Sequence, residues 1–230
     1  MIALIRMRLT GFVRSGRALA PIIAGLVVLA VIYGGGQSQA APAYGYSAVM
    51  LFPVLAWLSK LVLDAEPDVQ RRLARLSVGA GREAAAGVLA AVLIGLVVCA
   101  VAMLAPVLFG AIRGPVPGEP SLATGVALGA LAHLLMLPAA VGLGALASRA
   151  VTRGIRNGVA VLATGSVLVV VLGLSGSIAP WLVPPVMAMA RSLSRPMLPA
   201  AGTLLLLSAW ALVWCAVALT AYAGLRRRRS

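Results

Sequence analysis

The sequence predicts an all-α integral membrane protein with six transmembrane helices, on the basis of three observations. Hydrophobic residues make up 62% of the 230-residue chain and charged residues only 10%, whereas soluble domains carry about 25% charged residues. Six apolar runs approach or exceed the roughly 20 residues that a helix needs to cross a bilayer. Basic residues collect in alternate connections between these runs, which is typical of a chain with a fixed orientation in a membrane.

The six predicted spans follow one another in a single transmembrane domain that covers residues 1–230. They comprise residues 18–36, 44–63, 84–112, 121–148, 158–180 and 198–225. The first span is the shortest, and the third, fourth and sixth are long enough to tilt or to project beyond the bilayer.

The distribution of basic residues sets the predicted orientation. With the N-terminus in the cytoplasm, sixteen of the nineteen basic residues lie on the cytoplasmic side, and only Arg113, Arg191 and Arg195 lie outside. This excess of positive charge inside predicts that both termini are cytoplasmic. The net charge of +14 is therefore interpreted as an orientation signal, and we expect no nucleic-acid partner.

Residues 1–17 are predicted to form an interfacial helix before the first span. Apolar residues recur there at helical spacing between four arginines, so the helix would lie on the cytoplasmic surface with its arginines at anionic lipid head groups. The alternative is a positively charged flank of the first span. Residues 41–43 also imitate a signal-peptide cleavage site, but a charged region of seventeen residues is long for a signal, and we expect no cleavage.

Residues 175–199, between the fifth and sixth spans, form the longest outer loop. Its apolar residues are interrupted by Pro180, Trp181, Pro184, Pro185 and Pro196. Tryptophan favours the membrane–water interface, and irregular backbone at membrane depth needs protein around it. We therefore predict short helices seated at the outer interface, or a re-entrant segment.

The cytoplasmic loop of residues 64–83 concentrates the polar chemistry of the chain. It holds four of the five acidic residues and four of the nineteen basic ones. Pro67 suits the first turn of a helix, and acidic residues at that end interact favourably with the helix dipole. Gly79 and Gly81 are predicted to end this helix before the third span.

The predicted helix in this loop is amphipathic. Val69, Leu73 and Leu76 share one face, because they are spaced at i, i+4 and i+7. An apolar ridge flanked by charges is typical of a docking site, and the alternative is a solvated connector whose charges only orient the chain. The residues predicted to carry the docking are Asp64, Glu66, Asp68, Arg71, Arg72, Leu73, Arg75 and Leu76.

This arrangement resembles the membrane subunit of ABC transporters of the type-2 exporter family. That family has an interfacial helix, six spans, a coupling helix between the second and third spans, and short outer helices between the fifth and sixth. The resemblance covers the whole chain in topology, and within the loop it involves residues 64–66, 73–76 and 79–87. Residues 66–68, Glu-Pro-Asp, replace the family's paired acids around a basic residue.

The resemblance implies two protein partners and a location. The partners are an ATP-binding cassette ATPase subunit, which would hold the ATP, and a second permease that is either identical or a sister chain. The location is the cytoplasmic membrane of a bacterium.

Two absences from the sequence bear on how such a protein is driven. None of the five acidic residues lies within a predicted span, so the carboxylate that proton or sodium coupling usually requires is missing. No G-x-x-x-x-G-K-[ST] phosphate loop is present, so ATP hydrolysis is expected on a separate chain. We expect no catalytic, cofactor-binding or metal-binding residues, and a function in the export of amphiphilic drugs, antibiotics, peptides or lipids. The alternative is a membrane scaffold without transport activity.

Three further features of the spans have structural interpretations. His133, the only histidine, is predicted to hydrogen-bond between helices, with substrate binding or proton transfer as the alternative. Residues 173–176 imitate the Gly-x-Ser-Gly of rhomboid proteases, but Ser175 would need a base, and no histidine follows it. Gly125 and Gly129 form a Gly-x-x-x-Gly pattern, which predicts close helix packing.

Overall fold

The computed structural model describes residues 1–195 and 197–228, apart from the side chain of Asp68. Pro196, one of the prolines of the predicted outer segment, and Arg229, one of the cytoplasmic basic residues, lie outside this part. The described residues form helices and no β-strand. The helices are α1 (Ile2–Arg14), α2 (Leu19–Tyr33), α3 (Ala40–Leu63), α4 (Asp68–Val78), α5 (Ala80–Leu108), α6 (Leu122–Leu146), α7 (Arg149–Thr152), α8 (Ile155–Leu172), α9 (Val186–Leu193) and α10 (Ala201–Arg227), with a 3-10 turn at Pro180–Leu182.

Within the described residues, five helical segments are long and apolar enough to cross a membrane. They are α3, α5, α6 together with α7, α8 and α10. The first predicted span differs, because α2 has only 15 residues and is about 22 Å long. It reaches the length of a membrane span only together with α1, from which it is separated by a bend of 78°. The predicted all-α class is confirmed for the described residues, with five segments that are long and apolar enough to cross a membrane, or six if α1 and α2 form one.

The centre of the bundle is the packing of α3 against α6. Glycines on α6 let the two backbones approach: a Cβ on Gly144 would lie 2.5 Å from the carbonyl oxygen of Ala56, and one on Gly129 would overlap Tyr44. Gly125 faces Ala40 in the same way. The small-residue pattern of α6 therefore mediates close helix packing, as predicted.

His133 links α6 to α3 through hydrogen bonds. Its Nδ1 lies 2.9 Å from the carbonyl oxygen of Gly129 and its Nε2 lies 3.3 Å from Ser47 Oγ. Because a carbonyl only accepts, Nδ1 carries the proton and Nε2 is an acceptor in the neutral ring. His133 is 1% exposed, and both ring nitrogens are engaged away from Ser175, so the structure brings no base from this histidine to the protease-like motif.

α4 ends where predicted, whereas the boundaries of α5 and α8 differ from those predicted. α4 ends at Val78 and Gly79 follows with φ +87°, as expected for a glycine stop. Gly81 does not contribute to that stop, since α5 already begins at Ala80 and includes both Arg82 and Glu83. The alanine-rich stretch after Gly79 favours helix, and Glu83 lies in the first turn, where a carboxylate interacts favourably with the dipole. α8 likewise begins at Ile155 and ends at Leu172, eight residues before the predicted end.

The outer segment contains the short helices predicted from its prolines and tryptophan. The 3-10 turn and α9 both lie within it. Trp214 of α10 donates a hydrogen bond of 3.0 Å to the carbonyl of Leu182, and Arg191 of α9 donates to the carbonyl of Gly173. These bonds attach the segment to α10 and to the end of α8.

A methyl group at Gly144 should destabilise the bundle. In Gly144→Ala the new Cβ would meet the backbone of α3, so we expect the free energy of unfolding to fall by about 1–3 kcal/mol. Gly202→Ala in α10 is the control, because its Cβ meets nothing within 4 Å and alanine favours helix by about 1 kcal/mol. Unfolding titrations in mixed detergent micelles measure both. Equal effects at the two positions would contradict the packing of α3 on α6.

Candidate functional site

Most of the charged residues gather at one end of the bundle, where α1 and the end of α10 both contact Glu83. This region, which we name the charged end, comprises α1, the connection from α3 to α4, α4, the first turns of α5, α7, and the last turn of α10. Two buried clusters occupy it. The first consists of Arg8, Glu66, Arg75, Glu83 and Arg226, and the second of Lys60, Asp64 and Arg149.

Glu83 is the centre of the first cluster. Its side chain is completely buried, and its carboxylate pairs with Arg8 of α1, Arg226 of α10 and Arg75 of α4. The Arg75 Nε to Glu83 Oε2 distance is 3.3 Å. One carboxylate on α5 therefore holds three other helices.

Arg8 connects the two carboxylates of this cluster. It donates from Nε and Nη2 to the two oxygens of Glu66, at 2.8 and 2.7 Å, which is the bidentate geometry of strong arginine–carboxylate pairs. It also donates to the backbone carbonyl of Glu83 at 3.2 Å. Gly87 makes room for this side chain, because a Cβ there would overlap the Arg8 guanidinium.

The second cluster fixes the end of α3. Asp64 accepts from Lys60 Nζ and from the backbone N–H of Arg149, each at 2.8 Å. The Arg149 guanidinium donates to the carbonyl of Asp64 at 2.7 Å. Asp64 is 5% exposed, so these bonds replace its contact with water and attach the end of α3 to α7.

α4 presents an apolar ridge, formed by Val69, Leu73 and Leu76, at the surface of the charged end. Their exposed fractions are 69%, 61% and 86%. Arg72, next to Leu73, is also exposed. We call these three apolar residues the α4 ridge. α4 is strongly amphipathic, and an apolar helix face is usually packed against other parts of a protein. No described part of the chain covers the α4 ridge.

The eight predicted docking residues separate into two groups. Arg72, Leu73 and Leu76 are exposed, as a docking surface requires. Asp64 and Glu66 are buried in ion pairs, and Arg75 is half-buried against Glu83. Arg71 is also half-buried, and the side chain of Asp68 lies outside the described part.

Sequence reasoning did not identify Arg8, Glu83 and Arg226 as site residues. Arg8 was predicted to reach lipid head groups from the interfacial helix, whereas the structure buries it between Glu66 and Glu83. Glu83 and Arg226 were interpreted as charges at the ends of apolar spans, because hydropathy assigns isolated charges to water. Gly87 offers a usable signal, since it lies one helical turn after Glu83 and leaves space for a large side chain from another helix. The partner arginine could not be chosen from nineteen basic residues without the fold.

Among the described residues, the end of the bundle opposite the charged end has one ion pair, and it is open to solvent. Arg113 donates to Glu119 at 2.8 Å between α5 and α6. The hydrogen bond from Arg113, with a further one from the backbone of Val116, holds the pKa of Glu119 below its usual value. Both side chains remain in contact with water, so this pair contributes little to stability.

A groove of about 630 Å³ lies between α3 and α8. Pro53, Trp57 and Leu61 line it from α3, and Val159 and Ser166 from α8. The Ser166 hydroxyl is buried without a hydrogen-bond partner among the described residues. α8 buries only Gly158 and Val169, so this side of the bundle is open.

The fold and the charged end define an all-α protein whose long apolar helices could cross a membrane and whose buried ion pairs, among the described residues, are gathered at one end. Within the described residues, no three His, Cys, Asp or Glu side chains are placed to hold a metal ion. Comparison of the chain with known protein families, with characterised proteins and with solved structures finds no match.

Removal of the Glu83 charge should destabilise the charged end. In Glu83→Gln the buried Arg8 and Arg226 and the half-buried Arg75 lose the charge of their shared carboxylate. Breaking a buried ion pair in this way costs about 3–5 kcal/mol. We expect a fall of that size in the free energy of unfolding. Glu119→Gln, which breaks an exposed pair, should change it little. Parallel unfolding titrations compare the two, and a Glu83→Gln protein as stable as the control would show that the cluster does not hold the helices.

Proposed function

We propose that this chain is the permease subunit of an ATP-driven exporter of amphiphilic substrates. In this proposal the chain crosses the cytoplasmic membrane of a bacterium six times, with both termini and the charged end in the cytoplasm. The ATPase is a separate chain that holds the ATP. The observation that carries the proposal is the exposed α4 ridge at the charged end, since a large apolar patch facing water marks a protein contact.

The ion pairs give α4 a way to act on the spans. Arg75 joins α4 to Glu83 of α5, and Arg8 joins the same carboxylate to Glu66 in the connection from α3. A displacement of α4 by the ATPase would therefore pull on both neighbouring spans, α3 and α5. Movement of these helices would open a path for the substrate to the outer side.

The groove between α3 and α8 supports an amphiphilic substrate. Its lining is mainly apolar. The polar groups along it are the indole of Trp57, the Ser166 hydroxyl, which has no hydrogen-bond partner among the described residues, and Lys60, whose ammonium is paired with Asp64. Sites of this kind bind molecules that are mainly hydrophobic and carry a few hydrogen-bonding groups. A second permease, identical or a sister chain, would close the open side along α8.

Loss of the α4 ridge should release the ATPase. We expect tagged wild-type protein, isolated from native membranes in mild detergent, to recover a soluble ATPase that mass spectrometry identifies. Leu73→Ser with Leu76→Ser should lower the recovery at least about tenfold, because each buried leucine contributes about 1.5–3 kcal/mol to an interface. Its stability should be unchanged, since both side chains are exposed in the chain alone.

Two control variants separate docking from general loss of apolar surface. Ile2→Ser removes an equally exposed side chain from α1, and Ser77→Ala alters α4 beside the ridge. Both should retain the ATPase. Recovery of an oligomer of this chain alone from wild-type membranes would instead favour a scaffold without transport activity.

Replacement of Arg72 and Leu73 together should uncouple ATP hydrolysis from transport. Both lie exposed on α4, so Arg72→Ala with Leu73→Ala weakens the contact that transmits the motion while leaving the spans intact. Substrate-stimulated ATP hydrolysis and substrate accumulation in inverted membrane vesicles are measured together. We expect accumulation to fall while basal hydrolysis continues, and unchanged transport would contradict the coupling role of α4.

A further inference from the structure

A second groove, of about 190 Å³, lies between α2, α3 and α5. Its floor consists of buried residues, chiefly Gly25 of α2 with Leu51 and Leu58 of α3. All of the residues that line it are apolar or glycine. A polar ligand would lose its hydrogen bonds to water there without gaining others, so the chemistry of the lining selects a hydrocarbon.

The rim of this groove is exposed at the surface of the bundle. Ile22 and Leu26 of α2 are 44% and 53% exposed, and Val97 of α5 is 63% exposed. Close association of transmembrane helices uses small residues that let backbones approach, whereas these branched side chains stand out on both sides of the groove. The opening suits a narrow flexible chain better than a helix.

Two arginines come just before the part of α2 that lines the groove. Arg14 ends α1, and Arg17 follows in the bend, one helical turn before Pro21, the first residue of α2 that lines the groove. Both arginines are exposed. Neither forms an ion pair with a described acidic side chain, in contrast to Arg8, Arg75, Arg149 and Arg226. Guanidinium groups bind phosphate strongly and often through two hydrogen bonds.

We infer that this groove holds one acyl chain of an anionic phospholipid, with the phosphate bound by Arg14 and Arg17. The lipid comes from the leaflet at the charged end, because α1, the bend and the start of α2 all lie there. The acyl chain fills the space between α2 and α5. The site is separate from the groove between α3 and α8, and it does not depend on the proposed transport function.

The acyl-chain part of the site is tested by filling the groove. A Cβ on Gly25 would lie 3.5 Å from Val54 Cγ1, an ordinary contact, so Gly25→Leu places its remaining atoms in the groove. Ala30→Leu adds the same side chain to an exposed position of α2 and is the control. Val97→Trp covers the groove from the rim without disturbing the floor, in case the first variant folds poorly.

Native mass spectrometry of the purified full-length protein provides the measurement. The protein is supplied in mild detergent with equal amounts of phosphatidylglycerol and phosphatidylcholine. We expect wild type and Ala30→Leu to retain one phospholipid per chain, mainly phosphatidylglycerol, and Gly25→Leu and Val97→Trp to lose it. Retention of the lipid by both filling variants would overturn the inference.

The head-group part of the site is tested by charge. Arg14→Gln and Arg17→Gln should each lower the preference for phosphatidylglycerol about fivefold, the effect of one basic residue near an anionic lipid. Arg156→Gln, an exposed arginine on α8 away from the groove, should not change it. An unchanged preference in both variants would overturn the head-group assignment. Disulfide trapping of Leu26→Cys between two copies would place protein rather than lipid at the rim, and would also overturn the inference.

Discussion

The burial of the Glu83 carboxylate among three arginines is the constraint on which the charged end depends. Charges removed from water must keep their partners, because a separated buried charge costs several kcal/mol. Arg8, Arg75 and Arg226 come from three different helices, so α1, α4 and α10 are fixed to α5 by one side chain. The neighbouring Asp64 cluster attaches the end of α3 in the same manner. The position of α4, and with it the direction of its ridge, follows from these pairs.

The rest of the bundle divides into a tightly packed centre and a loosely attached side. α3 and α6 meet through glycines and small residues, and a buried histidine hydrogen bond joins them. α8 contributes few buried residues and leaves a groove beside α3. The tightly packed helices and the open surface are therefore in different parts of the bundle. Both grooves border α3, one between it and α2 and α5, the other between it and α8.

The sequence predicted what depends on local signals. Hydropathy identified the membrane class, the spacing of Leu73 and Leu76 identified an amphipathic helix, and Gly79 marked its end. The ion pairs were not predictable, because Arg8 lies 58 residues from Glu66 and 75 residues from Glu83 in the chain. Asp64 and Glu66 were assigned to a surface for the same reason: their burial results from partners that only the tertiary structure supplies.

The short α2 has a consequence for the membrane around the protein. With α2 as a span, its length of about 22 Å falls below the roughly 30 Å thickness of a typical hydrocarbon core, while the 29 residues of α5 exceed it. The bilayer is then expected to be thinner beside α2 than beside α5, which costs a fraction of a kcal/mol per ångström. Because of this mismatch, the layer of lipid around the protein is thinner on the α2 side than on the α5 side. The protein should therefore partition into thinner regions of the membrane. It should also cluster with neighbouring proteins that thin the bilayer on the side that faces α2.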